Sequence, residues 1–240
     1  MLGTLLNVGG ILAGGIIGLA RRQPFSAANE VSFKVILAAF TVFYGLRLTW
    51  LSLNDSWLHM LKQLLIAVLA MMLGRLLGRL LQLQELSNHL GQSARQRIVA
   101  ASGPGAARRL DEGFKTCAAL FCAAPLGVLG ALQDGLSHYF YPLAVKAVVD
   151  GLATLGFVSL FGWGVLLSAL PVLAVQGSIT LLCAHVLAPA LSAAQVDSVN
   201  AVGGLLVFSV ALVMLGLKRV ELADYLPSLA LAPLITWLWR

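Results

Sequence analysis

The chain has 240 residues, 59% of them hydrophobic and only 11% charged. A soluble domain of this length needs a polar surface that such a composition does not supply, which leaves a polytopic, all-α transmembrane bundle. The formal charge of +6 is no nucleic-acid footprint, because Lys and Arg stand at the ends of apolar runs and in their connecting loops rather than on a soluble basic face.

A β-barrel is excluded in the same way: the apolar runs are continuous rather than alternating, and Leu, Ala and Gly dominate them. The first run, "LGTLLNVGGILAGGIIGLA", is closed by Arg21, Arg22 and Pro24. It has neither the charged n-region nor the small-residue cleavage site of a signal peptide, so a span is expected. A second run extends from about Phe33 to Leu51 with Arg47 near its far end. The third starts near Trp57 and reaches about Leu80, with Arg75 and Arg79 on its last turns. The polar segment from Gln82 to Glu112 is expected to form an interfacial helix and then a turn at "SGPG". It divides a single integral domain into a first half, 1–81, and a second half, 113–240.

The fourth run spans Phe114 to Leu132, the fifth about Leu143 to Phe161, the sixth Val165 to Leu187, the seventh Val199 to Leu217 and the last about Tyr225 to Trp239. By length this predicts about eight spans, or seven if "GWG" at 162 to 164 joins the fifth and sixth runs into one broken element. Pro171, followed closely by Gln176 and Gly177, predicts a break in the sixth helix. Arg21, Arg22 and Lys34, then Arg95, Arg97, Arg108 and Arg109, then Lys218 and Arg219 fall on one side of an eight-span topology. Asp55, Asp134 and Asp197 fall on the other. The positive-inside rule makes the basic side cytoplasmic and puts both termini outside.

No nucleophile-elbow, zincin, P-loop or dinucleotide fingerprint is present, and the four histidines are dispersed, so neither an enzyme nor a metal or cofactor site is expected. Cys117, Cys122 and Cys183 read as small buried hydrophobes. The informative residues are polar ones inside apolar runs, where a charge costs a few kcal/mol or more and persists by facing a partner or water. Lys146 and Asp150 are four apart and share a helix face; a mutual ion pair, or a proton or ion ligand at Asp150 held by Lys146, are both open. Gln133 and Asp134 close the fourth run, where charge is affordable, either as a solvated turn at an outer helix end or as a ligand contact at an entrance. Gln176, Ser178 and Thr180 either line a broken helix or bond back within a kinked one.

Asn7 and Asn200 are either interhelical glue or cavity-lining groups. Each precedes a similar stretch, "VGGILAGGIIGL" and "VGGLLVFSVALVML", which is either a parallel repeat or a recurrence of composition. The glycines of these stretches permit close helix approach, within one chain or in a homodimer.

"GTLLN", "LGALQDG", "VKAVVDGL", "LPVLAVQGSITLL", "VNAVGGLLV" and "LGLKRVELADYLPSLALAPLI" follow one another in this chain. In that order they resemble the DUF554 family of bacterial inner-membrane proteins, a domain of unknown function. The resemblance covers nearly the whole chain and is strongest from Phe114 onward. It implies a plasma-membrane location, a single integral domain and transport without a settled substrate, and it carries over no catalytic residue. Its motifs coincide with Asn7, Gln133, Asp134, Lys146, Asp150, Gln176, Ser178 and Asn200. The expected function is therefore a small transporter or channel for an ion or small polar solute, with H+ or Na+ coupling open. The rival is a membrane scaffold whose polar residues only hold helices together.

Overall fold

The computed structural model describes residues 1–20, 27–53, 56–101 and 110–239. Among these residues every regular element is helical. The helices are α1 (Leu2–Ala20), α2 (Ala27–Leu53), α3 (Trp57–Leu80), α4 (Leu83–Ala101), α5 (Leu110–Ala123), α6 (Pro125–Ser137), α7 (Tyr141–Phe161), α8 (Ala169–Leu182), the short α9 (Ala188–Ala190), α10 (Ala193–Met214) and α11 (Ser228–Leu238). Arg21, Arg22, Pro24, Asp55, the "SGPG" turn, Arg108 and Arg109 lie outside the described residues.

Each expected run is largely helical, and the helices differ from the expected runs in three places. Among the described residues, five stretches are long and apolar enough to cross a membrane: Leu2–Ala20, Val31–Leu53, Trp57–Leu80, Tyr141–Ala190 and Ala193–Met214. The pair α5 and α6, bent by 58° at its break, makes a sixth when counted as one span. Three physical features account for the difference. Pro125 opens α6 and holds Ala124 in extended backbone (ψ 121°), so the fourth run becomes two helices. The fifth and sixth runs merge into one helical stretch of 50 residues. The last run holds a helix of 11 residues, shorter than the roughly 20 a crossing needs.

The merged stretch would be about 75 Å long if straight, but it folds back on itself. Positions 3, 10, 14 and 18 of α1 meet Leu143, Ala147, Gly151 and Leu155 of α7 in order, whereas Thr4, Asn7 and Gly15 meet Thr180, Gln176 and Leu166. So α1 runs parallel to α7 and antiparallel to the arm that leads into α8. The reversal occurs at Gly162, whose φ of +79° only glycine adopts without strain, followed by a 3-10 segment, Gly162–Ser168. The expected break at Pro171 is absent: Ala169–Leu182 is a continuous helix. Pro171 stands in its first turn, directly after the 3-10 segment, where a proline is best tolerated. The irregularities sit on either side of it, at the 3-10 segment and at a π-helical turn, Cys183–Leu187.

Two cores result. One joins α1, α5, α7 and α8 through Ile11, Cys117, Phe121, Val158 and Val172, and the other joins α3, α6, α10 and α11 through Ala67, Leu129, Val202, Leu206 and Leu229. Helix α6 touches both groups. Its end is held to α2 by the Tyr139 hydroxyl, which donates to the Tyr44 carbonyl at 2.6 Å, and by Tyr44 stacked on Tyr141. Leu5, Ile16, Phe40, Trp50, Leu65, Met72 and Leu76 are exposed, a surface that hydrocarbon covers. Helix association there depends on close packing of small residues rather than on expulsion of water.

Candidate functional site

Gly10 and Gly14 of α1 face the backbone of α7. A Cβ on Gly10 would lie 2.3 Å from the Ala147 carbonyl oxygen, and one on Gly14 would lie 2.0 Å from that of Gly151. This contact brings Asn7 beside Lys146 and Asp150, which share one face of α7 a turn apart. Both charged side chains are buried, at 2% and 5% exposure. The Lys146 ammonium donates to Asp150 Oδ2 and stands 5.7 Å from the centre of the Phe121 ring. Asn7 Nδ2 donates to Gln176 Oε1 of α8 at 3.1 Å, and Asn7 is within hydrogen-bonding reach of the Asp150 carboxylate. Gly127 of α6 closes the group, since a Cβ there would come within 3.0 Å of both Gln176 Nε2 and Lys146 Cε.

The result is a neutralised ion pair, two amides and an aromatic face contributed by four helices. Asn7 Oδ1 and Gln176 Nε2 have no partner among the described residues, so one acceptor and one donor remain beside the pair.

A second polar node lies toward the start of α1. Asp134 is 2% exposed, and its Oδ2 accepts the Gly3 amide at 3.1 Å and lies 3.0 Å from the Met1 amino group. The first N–H groups of a helix lack internal partners and carry a partial positive charge, so a carboxylate is well placed there. The expectation of a solvated turn is corrected in part. Asp134 is near the end of α6, as anticipated, but Gln133, Asp134 and Gly135 are helical and buried. Between the two nodes, Thr4 and Thr180 approach at 3.3 Å, and Thr180 also donates to the Ala131 carbonyl at 3.1 Å. Thr180 is about one turn from Gln176, and Thr4 about one turn from Asn7, so the nodes form one seam between α1, α6, α7 and α8.

Three expected residues stand apart. Asn200 of α10 accepts from the Ser137 hydroxyl at 2.9 Å, level with the end of α6, whereas Asn7 and Gln176 are level with its beginning. Ser178 is exposed on α8, on the face turned from the seam. Gln133 is fully buried against Gly203, and among the described residues neither of its amide atoms has a partner. Sequence reading missed Thr4 and Phe121 in the seam. It also missed a separate polar knot in which Gln63 accepts from Ser198 at 2.8 Å and donates to the Ala194 carbonyl at 3.2 Å, while Ser198 bonds Thr236. The signal for that knot was present: Gln63 is an amide inside "LKQLLIAVLA". Among the described residues, no three His, Cys, Asp or Glu side chains gather as a metal site.

The family model for a protein of unknown function, DUF554, matches residues 2–237. The chain belongs to the DUF554 family. It is similar to the "Uncharacterized membrane protein YdfK" of Bacillus subtilis (strain 168), with 28% identity over 235 residues covering 98% of this chain and 95% of the relative. It is also similar to the "Uncharacterized protein YqgA" of Escherichia coli (strain K12), with 25% identity over 239 residues covering 100% of this chain and 97% of the relative. No solved structure matches. In this DUF554 protein, the motifs that carried the resemblance converge. "LGALQDG" lies on α6, "VKAVVDGL" on α7 and "LPVLAVQGSITLL" on α8, and all three line the seam with the start of α1.

Proposed function

We propose that this protein is a small transporter or channel of the bacterial inner membrane for an ion or small polar solute. Lys146, Asp150, Asn7 and Gln176 form its central site, with Thr180 and Asp134 on the approach. The observation that carries the reading is the Lys146–Asp150 pair, buried in the first half of α7 beside an unpaired amide oxygen and an unpaired amide nitrogen. Ionisable groups inside membrane helices are costly and mark ion or proton pathways. Asp150 is the group that takes up a proton or cation. Doing so releases Lys146 from its partner, and that exchange is the coupling step. An inward-facing basic end is supported by the position of Lys34, Arg75, Arg79, Lys218 and Arg219 at one end of the bundle: α2 meets α10 through Thr41 and Met214, and Arg75 and Arg79 meet Glu221.

The test is uptake into proteoliposomes loaded with a pH-sensitive dye, screened against small polar solutes and inorganic ions. The wild type is expected to give a solute- or ion-dependent signal that Asp150→Asn abolishes. Full uptake and unchanged ion dependence in Asp150→Asn would rule out the assignment.

A second reading, a non-transporting scaffold, is favoured by one observation: Lys146 contacts Asp150 directly, which is all that a structural role requires. The charge-free double variant Lys146→Met with Asp150→Asn separates the two. A scaffold keeps its cellular role in that variant, whereas a transporter folds but is inactive.

A further inference from the structure

We propose that a pocket at the basic end of the bundle, between α3, α10 and residues 218–225, is a phosphate-ester site that takes the headgroup of an anionic phospholipid. Its construction begins with the end of α10. Gly216 adopts a φ of +67°, and the Leu217 amide returns to the Leu212 carbonyl at 3.0 Å, a left-handed helix stop that reverses the chain. The reversal lays Lys218, Arg219 and Glu221 back against the last turns of α3 and encloses a cavity of about 370 Å³. That volume falls within the roughly 300–1,000 Å³ typical of small-molecule sites.

The charge in this pocket is unbalanced. Glu221 bridges Arg75 and Arg79, at 3.2 Å to each, and so answers part of two guanidinium charges. Lys218 and Arg219 line or edge the same cavity and have no ion-pair partner among the described residues. Asp224, the other nearby carboxylate, is buried and turned to the Gln84 amide. Arg75 lies 5.6 Å from the centre of the Tyr225 ring, and its buried Nε has no partner among the described residues. A guanidinium beside an aromatic ring, with an N–H left over from its carboxylate partner, is suited to the oxygens of a phosphate.

The remaining walls decide between a lipid and a free anion. Met71 and Leu206 line the cavity beside Ser209, so the pocket is basic on the side of the turn and apolar along the helices. It sits where the spans end. Basic pockets between helix ends are the sites that attract anionic headgroups, and the apolar wall accommodates the glycerol backbone and the first acyl methylenes. Inorganic phosphate shares the charged contacts and gains nothing from Met71 and Leu206.

The site is independent of the transport reading, and the full chain purified in detergent tests it by native mass spectrometry and thermal melting. The expected result is retention of phosphatidylglycerol roughly tenfold or more over phosphatidylcholine. Lys218→Gln with Arg219→Gln should lose that preference at unchanged melting temperature, because both residues are exposed and unpaired. Arg75→Gln should weaken retention further; if it does not fold, the first variant carries the result alone. Equal retention of the two lipids overturns the proposal, as does a preference unaffected by the Lys218 and Arg219 changes. Displacement of phosphatidylglycerol by millimolar inorganic phosphate also overturns it, by assigning the pocket to a soluble anion.

Discussion

Lys146 and Asp150 neutralise each other one turn apart on α7, and neither reaches the surface of the bundle. Removing one partner strands the other as an uncompensated buried charge. Lys146→Met is expected to destabilise the protein by about 3–5 kcal/mol, and Asp150→Asn by a similar amount. The double variant should recover most of the loss. Unfolding of all three variants in detergent, read as a double-mutant cycle, measures the coupling. Additive losses would mean that the two residues do not act as a pair.

The contact of α1 with α7 has no room for a methyl group at Gly14, where a Cβ would fall 2.0 Å from the Gly151 carbonyl oxygen, and ample room at Gly9, where nothing lies within 4 Å. Gly14→Ala should therefore cost about 1–3 kcal/mol. Gly9→Ala should be neutral or slightly stabilising, since alanine favours the helix by up to about 1 kcal/mol over glycine. Thermal melts of the two single variants check this contrast, and equal effects would contradict the packing.

Gln133 and Gln176 are both buried amides, but their bonding differs. Gln133 has two unpaired atoms, whereas Gln176 accepts from Asn7. Gln133→Met keeps the length of the side chain and removes both orphaned groups, so it should stabilise by about 1 kcal/mol. Gln176→Met removes the acceptor of the Asn7 Nδ2 bond and should destabilise by about 1–3 kcal/mol. Equilibrium unfolding of the pair tests the opposite signs.

Glu221 lies outside the spans, and its hydrogen bonds from Arg79 and Arg75 hold its carboxyl below the ordinary glutamate value. A folded-state pKa below the unfolded one contributes stability that is complete above the ordinary glutamate value of about 4.3 and is lost as pH falls through the depressed value. Melting temperature should therefore drop on acidification through this range in the wild type, and Glu221→Gln should remove that component of the drop. Identical pH profiles for the two proteins would show that the tie between the 218–221 turn and α3 contributes nothing.

Much of the fold was legible in one dimension. The first run was expected from Leu2 to Ala20 and the helix occupies those residues; the fifth, expected from about Leu143, is α7 from Tyr141. Continuous apolarity over a membrane's thickness reports a helix whatever packs against it. The breaks were less legible. Pro125 and Pro171 carry the same local signal, yet Pro125 divides a run and Pro171 does not, because the effect of a proline depends on where the helix begins. Gln133 and Asp134 were read as a helix end where charge is affordable; burial there required knowing that α1 starts against them.

The sequence by itself determined the solvent of this protein, its helical class, its basic connections and the polar residues worth attention. Composition and run length answer to the bilayer alone. The tertiary structure decided which of those residues meet. Asn7, Lys146, Asp150 and Gln176 come together, while Asn200 and Ser178 do not, because glycine contacts between α1 and α7 and the reversal at Gly162 set the helices' relative register. Register is a property of pairs of helices, and neither helix carries it alone.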